Sequence, residues 1–335
     1  MNPGLRRANV ALFVPHAGCP HQCSFCNQRA ITGQAGLPSD EDIRQAAETA
    51  LRTLGKDARQ AEIAFFGGSF TAIPEPEMRR MLDAAYPYVV DGRFHGIRIS
   101  TRPDAIDRHI LEILLARGVT AVELGAQSMD NRVLAANGRG HTAAHVRQAA
   151  AYIREAGLEL GLQMMTGLYG DSDKGAMDTL EALLALHPDT LRIYPTIVLE
   201  GTRLAELYRQ GEYRPQTVEE AAALCGRLLM RCNAAGVPVI RLGLHEIEKA
   251  RYVAGPWHPA FREICEGNIY LDAARRALEG QPAGAYFLYV GRKNTSRMAG
   301  QNRRNLDALA EAGYLCRVRE DAALSAFAVR AEKRE

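Results

Sequence analysis

Cys19-Pro-His-Gln-Cys23-Ser-Phe-Cys26 sets three thiols in a C-x3-C-x2-C spacing, directly after the apolar run Val10-Ala-Leu-Phe-Val14. That run alternates too little for a surface strand and predicts a fully buried one. The thiols are therefore expected on a loop leaving the carboxyl end of a core strand. Pro20, His21 and Gln22 make the segment polar, which argues against simple burial. A structural zinc needs four ligands, and His16 or His21 would have to supply the fourth without an evident loop geometry for it. Four irons on three thiolates leave one iron open for a substrate or cofactor, and short cysteine loops hold such clusters. Zinc and plain burial stay as alternatives at this point.

Outward from that loop, strand-like and helix-like segments alternate. Ser39-Asp-Glu-Asp opens a helix to about Leu54, with a capping residue and an acidic first turn. Strands are expected at 62–66, 96–100, 120–124, 158–165, 190–194 and 237–241. Helices are expected at 78–86, 105–116, 130–136, 142–156, 174–186 and 218–235. A repeated strand–helix unit implies parallel strands with right-handed crossovers, in a barrel or an open α/β sheet. Either way the working face lies at the carboxyl ends of the strands. Polar and glycine-rich residues gather there: Gly67-Gly-Ser-Phe70, Ser100-Thr-Arg-Pro-Asp104, Gly125-Ala-Gln-Ser128 and Thr166-Gly-Leu-Tyr-Gly170.

The cysteine spacing, with Phe25 before the last thiol, resembles the cluster motif of the radical S-adenosylmethionine (SAM) superfamily. The resemblance implies that Cys19, Cys23 and Cys26 hold a [4Fe–4S] cluster with SAM on the open iron, and that these thiols are the catalytic set. The loops suit such a ligand. Gly67 and Gly68 let backbone approach it closely, with Ser69 and Ser100 beside them. Gln127 and Ser128 have the size to meet a ribose or carboxylate. Gly167 and Gly170 allow backbone contact with an adenine edge, Phe25 can pack on the adenine, and Arg102 can pair with the ligand carboxylate. A one-electron donor such as flavodoxin or ferredoxin is implied as partner.

Residues 62 to 215 further resemble the radical SAM domain of the Elongator catalytic-subunit family. The matching stretches include Thr101-Arg-Pro-Asp104, Glu123-Leu-Gly-Ala-Gln-Ser128, Arg139-Gly-His-Thr142, Gly167-Leu-Tyr-Gly170 and Leu191-Arg-Ile-Tyr-Pro-Thr196 through Gly201-Thr202. This implies a partial (β/α)6-type barrel and wobble-uridine modification of transfer RNA with acetyl-CoA as carbon donor. There are departures. About 90 residues follow Glu246, too few for that family's acetyltransferase domain. Its His-x-Met-Pro is here Gln163-Met-Met-Thr166, and the acid before Thr-Arg-Pro-Asp is Ser100. Radical chemistry carries over better than acetyl transfer.

The chain is read as a core over 1–245 and a small α/β appendage over 246–335. In the appendage, helices are expected at 260–278 and 300–312, and strands at 285–290, 314–318 and 326–329. Arg292, Lys293, Arg297, Arg303 and Arg304 form a basic, Asn-containing stretch without an acid, a candidate phosphate-contacting patch for RNA. A net charge of +2 over 335 residues gives no chain-wide nucleic-acid or membrane signal. Seven cysteines, mostly unclustered, suggest a reducing compartment. With no evident signal peptide and no long apolar stretch, a cytoplasmic protein without membrane contact is expected. Cys225 and Cys232 fall on one helical face and read as core. Three functions follow: a radical SAM enzyme acting on RNA, one acting on a small molecule or peptide, or a zinc-bound RNA-binding protein without catalysis.

Overall fold

The computed structural model describes residues 8–14, 23–26, 36–244 and 247–334. Cys19, His16 and His21 lie outside the described residues. Seven parallel strands form one curled sheet: β1 (Asn9–Val14), β2 (Glu62–Gly67), β3 (Gly96–Thr101), β4 (Val119–Gln127), β5 (Glu159–Thr166), β6 (Thr190–Pro195) and, after a two-residue β7 (Val198–Leu199), β8 (Val239–Leu242). Their order in the sheet follows the chain, from β1 to β6 and then β8. This is a partial barrel with helices on its convex side, and all strand carboxyl ends lie along one edge.

The helices begin where side chains can satisfy the first backbone amides. α1 (Asp40–Leu54) starts on a capping box between Ser39 and Asp42. α2 (Glu75–Val90) follows Pro74 and runs on through Pro87, past the end expected at Tyr86. α3 (Arg108–Leu115) starts later than expected, because Asp107 caps the Ile110 amide at 2.8 Å. α4 (Asn131–Ala136) is capped by Asp130, α5 (Ala143–Glu155) by Thr142 and α6 (Asp173–Leu184) by Ser172. α7 (Arg203–Arg209), on Thr202, is an addition to the expected elements. α8 (Val218–Ala234) starts on a Thr217–Glu220 capping box.

The two sheet faces have opposite chemistry. The convex side buries Val10, Leu12, Ile63, Phe65, Ile97, Ile99, Val122, Leu124, Leu160, Leu162, Leu191 and Ile193 under the helices. Alternate residues face the hollow and include Glu62, Arg98, Glu123, Gln163 and Arg192. β1 is therefore not the fully buried strand expected from its composition: Val10, Leu12 and Val14 are buried while Asn9, Ala11 and Phe13 are exposed. It is an edge strand, pairing among the described residues with β2 alone, so only one face has a helix layer to enter.

A short β9 (Tyr252–Ala254) pairs with β7. α9 (Phe261–Leu278) then serves two cores. Phe261, Ile264, Cys265 and Ile269 join the main core, and Tyr270, Ala274 and Leu278 join a second one. Where α9 begins, Arg262 Nη1 donates to Val239 O of edge strand β8 at 2.9 Å, and Phe261 packs on Gly243. The second core underlies a three-stranded sheet. Its central strand β10 (Gly284–Val290) pairs parallel with β11 (Tyr314–Glu320) and antiparallel with β12 (Val329–Lys333). β12 lies later than the expected 326–329. The helix expected over 300–312 is shorter, because Asn302 and Arg303 are left-handed. α10 (Thr295–Ala299) precedes that break and α11 (Arg304–Glu311) follows it. No helix among the described residues is long and apolar enough to cross a membrane.

Candidate active site

The described part of the cysteine loop, residues 23–26, is tied down from three sides. Ser24 N donates to Asn137 O at 3.0 Å, and Ser24 Oγ to Asn137 Oδ1 at 2.7 Å. Asn137 is fully buried, and its amide in turn donates to Val133 O and Tyr169 O. Leu204 N, in α7, donates to Ser24 O at 2.8 Å. Phe25 is half-buried between two apolar clusters, one with Val133, Met165 and Leu168, the other with Val198, Leu204 and Tyr213. It thus anchors the loop, and part of its ring stays open.

Cys23 is buried, and Arg139 Nη1 donates to its sulfur at 3.3 Å. The same guanidinium donates from Nη2 to Gly125 O at 2.7 Å. Arg102, buried, donates to both carboxylate oxygens of Asp104 at 2.9 and 2.8 Å and to Arg139 O at 2.6 Å. It is thus already paired with a protein carboxylate. Burial would lift the Asp104 carboxyl, but the Arg102 hydrogen bonds hold it below its ordinary value. Ser69 Oγ bonds Thr101 Oγ1 at 2.9 Å and accepts from Arg102 N at 3.1 Å, which locks two strand-end loops together.

Among the described residues, Arg102 Nη1, Gln127 Oε1, Arg139 Nε and His141 Nδ1 are buried without a hydrogen-bond partner. Such orphan polar atoms are uncommon in a folded interior, and one of them belongs to the arginine on the Cys23 sulfur. Gln127 adds backbone strain, with φ at 63° at the end of β4; such strain concentrates at functional sites. Position 67 requires a residue without a Cβ: φ is 105°, and a Cβ would meet Val14 O at 2.9 Å. At Gly167, φ is 70°, and a Cβ would meet Gln216 Oε1 at 2.8 Å. Tyr213 OH donates to Gly167 O at 2.7 Å.

Other expected contacts sit elsewhere. Ser128 is turned to the start of α4, accepting from Asp130 N at 3.1 Å. Ser100 is on the hollow's wall, donating to Glu123 Oε2 at 3.5 Å. Gly68 N donates to Val14 O, and Gly170 faces Ala136. Arg297 is drawn inward to the buried carboxylate of Glu266, whereas Arg292, Lys293, Arg303 and Arg304 are exposed. Cys225, Cys232 and Cys265 are fully buried, and burial pushes the first two thiols up to about 12, as befits inert core residues.

Arg139, His141 and Asn137 were not assigned roles from sequence. Arg139-Gly-His141 was visible only as a matching stretch, since neither spacing nor periodicity says what it touches. The His141 Nε2–H donates to Ala126 O at 3.1 Å, leaving Nδ1 bare. Burial, and then the Arg139 charge, lower the imidazole from its ordinary 6.5 to about 4. Between those values the unfolded chain binds a proton that the folded chain does not. Stability therefore rises with pH across that window and is lost as pH falls through it, by about 3 kcal/mol in full. Urea midpoints measured from pH 7 to 4 should fall steeply in the wild type and less steeply in His141→Gln. Parallel curves would remove His141 as the cause.

The hollow's wall is an ion-pair ladder. Arg98 reaches Glu62 at 2.7 Å, Glu159 at 2.9 Å and Glu123 at 3.4 Å. Arg192 pairs with Glu123 at 2.7 Å and lies 4.9 Å over the Phe66 ring. The sequence signal for it is a single charge set between apolar neighbours within a strand, as in Ile97-Arg-Ile99, Val122-Glu-Leu124 and Leu191-Arg-Ile193. Gln163 faces the same hollow, half-buried.

A sequence profile for the Radical SAM superfamily matches residues 13–183, and one for a Radical_SAM C-terminal domain matches residues 188–270. An uncharacterized protein of Methanocaldococcus jannaschii, MJ0486, is 28% identical over 254 residues, 72% of this chain and 77% of its own. A tRNA uridine(34) acetyltransferase of Methanocaldococcus infernus is 28% identical over 253 residues, 64% of this chain and 47% of its own. Human Elongator complex protein 3 is 28% identical over 199 residues, 53% of this chain and 36% of its own. The chain thus spans about half or less of the length of these last two. The solved structure of Methanocaldococcus infernus Elp3 lacking its N-terminal 46 residues superposes with a TM-score of 0.61 at 23% identity, over 78% of this chain and 62% of that one. That is a likeness of fold.

Proposed function

The chain belongs to the radical SAM superfamily, and on that premise we propose that it modifies an RNA after reductive cleavage of SAM at a [4Fe–4S] cluster held by Cys19, Cys23 and Cys26. The superfamily uses that cluster and SAM, so the chain is an enzyme. The residues suit the group: two thiols lie on a loop pinned by Asn137 and Leu204, an arginine donates to one sulfur, and that arginine keeps a buried Nε without a partner. The Arg139–Cys23 contact carries this reading, since a buried guanidinium beside a buried thiol fits a thiolate that bears metal.

A cluster held by Cys19, Cys23 and Cys26 would supply the one-electron reduction of SAM from which the superfamily's radical chemistry starts. The electron comes from a small donor of the flavodoxin or ferredoxin class. The chain's part is placement. Arg139 holds Cys23 and offsets negative charge on its sulfur, a hydrogen bond of the kind that tunes such clusters. Asn137 fixes the loop's path. Gln127 offers an unsatisfied acceptor to a ribose hydroxyl or ammonium. Gly67 and Gly167 keep the strand ends thin enough for a ligand to reach backbone. Arg98, Glu123 and Arg192 hold the wall on which a substrate base would sit.

RNA is the favoured substrate because a relative that aligns over 64% of the chain is named for a tRNA uridine. The test is 5′-deoxyadenosine formation by anaerobically reconstituted protein with SAM and dithionite, with and without a tRNA transcript. RNA should raise the rate about ten- to a hundredfold, the usual size of coupling between two bound ligands. A rate indifferent to RNA but raised by a small molecule or peptide extract would overturn the RNA assignment and leave the radical chemistry standing.

A further inference from the structure

The three-stranded sheet of β10, β11 and β12 has a buried and an open face. Tyr286, Leu288 and Val290 point inward onto α9, Met298 and Leu309. Phe287 and Tyr289, between them on the central strand, point outward and are only half-buried. Their rings meet edge to face at 6.4 Å. Across the register, Arg317 and Arg319 of β11 and Arg330 and Glu332 of β12 stand beside them.

The arginines are stacked on the rings. Arg319 lies 3.4 Å and Arg334 5.2 Å from the Phe287 ring centre, and Arg330 lies 4.1 Å from that of Tyr289. Arg330 is neutralised by Glu332 at 3.0 Å and Asp321 at 3.3 Å. Arg317, Arg319 and Arg334 make no ion pair with a carboxylate among the described residues. Where β10 ends, Arg292 and Lys293 follow, both exposed, and extend the positive strip beyond the sheet.

Cross-strand packing alone accounts for aromatic–arginine neighbours on a solvated sheet. It does not account for three uncompensated guanidiniums around two rings on a central strand, which raise self-repulsion in the free protein. A polyanion that also carries flat π-faces relieves both. Single-stranded nucleic acid has that chemistry: bases stack on aromatic rings and guanidinium planes, while the guanidinium edges meet phosphates.

We infer that this sheet face is a docking platform for a single-stranded segment of RNA, an inference that rests on the RNA reading of the active site and adds where the substrate is gripped. Phe287 and Tyr289, with Arg319 and Arg334 flat upon Phe287, offer two stacking positions. The edges of Arg319 and Arg334, with Arg317, Arg292 and Lys293, follow the backbone.

The test is fluorescence anisotropy of the reconstituted full-length protein with a labelled single-stranded oligouridylate and with a tRNA transcript, at several salt concentrations. Phe287→Leu/Tyr289→Leu keeps apolar bulk but removes the rings; binding should weaken about ten- to a hundredfold. Arg319→Gln/Arg334→Gln should lower the slope of log affinity on log salt by about 1.4, at ~0.7 per phosphate of a single strand. Both variants should keep the RNA-independent rate of SAM cleavage, which a fold defect would not allow. If the aromatic pair does not fold, the arginine pair carries the test alone. Wild-type binding that both variants retain, with the same salt slope, overturns the platform and leaves the RNA reading intact. Wild-type protein that binds neither probe overturns the RNA reading, and the platform with it.

Discussion

Cys23→Ala should form no 5′-deoxyadenosine above background and should retain little iron after reconstitution. Among the described residues of the loop, Cys23 is the buried thiol, with Arg139 on its sulfur. Removing it takes away a proposed cluster ligand and leaves the guanidinium facing a methyl group, so both metal retention and charge balance should fail together. Neighbouring shell groups in metal sites are commonly worth ten- to a hundredfold, and a ligand itself is worth more. Iron and acid-labile sulfide per chain are read beside the nucleoside assay. Undiminished SAM cleavage by Cys23→Ala would sink the assignment of this loop. The isosteric Cys23→Ser controls for packing, because it keeps the volume while giving up the thiolate; it should fail in the same way.

The second large effect is on stability. Arg98→Met should cost about 3–5 kcal/mol, the usual result of removing one partner from a buried ion pair. Arg98 is nearly inaccessible and Glu62 fully so, and the same guanidinium serves Glu159 and Glu123. The loss is a large share of the 5–15 kcal/mol by which domains are stable, and it reads as a lower urea midpoint at unchanged slope. Adding Glu62→Leu to Arg98→Met should recover much of it, because an apolar pair of similar volume often replaces a buried ion pair at little cost. Equal midpoints for wild type and Arg98→Met would mean that the ladder is not a stabilising unit.

The parts of this fold legible in sequence were those with local causes. Ser39 marks a helix start with a side chain that caps it, and glycines mark the strand ends. The cysteine spacing singles out the loop on which the proposed site is built. What was not legible depended on distant partners. Val10–Val14 is as apolar as a central strand, yet only its neighbours decide that it lies at an edge with Phe13 open. The short β7, β9 and α7 are too brief to show a period. Arg297 looks like its basic neighbours until Glu266, far along the chain, is seen to claim it. Arg139 is the sharpest case: its role is a contact with a thiol 116 residues away.

One helix carries a consequence for how the protein is made. α9 supplies Phe261, Ile264, Cys265 and Ile269 to the barrel's core, and Arg262 covers the edge strand β8. On the ribosome, the strands up to Leu242 emerge before the helix that closes their last flank. Synthesis at ~5–20 residues per second leaves that flank uncovered for roughly 2–7 s. During this interval the nascent chain offers an open strand edge and an apolar groove, the features that invite wrong partners. The barrel's completion is thus delayed until α9 is made.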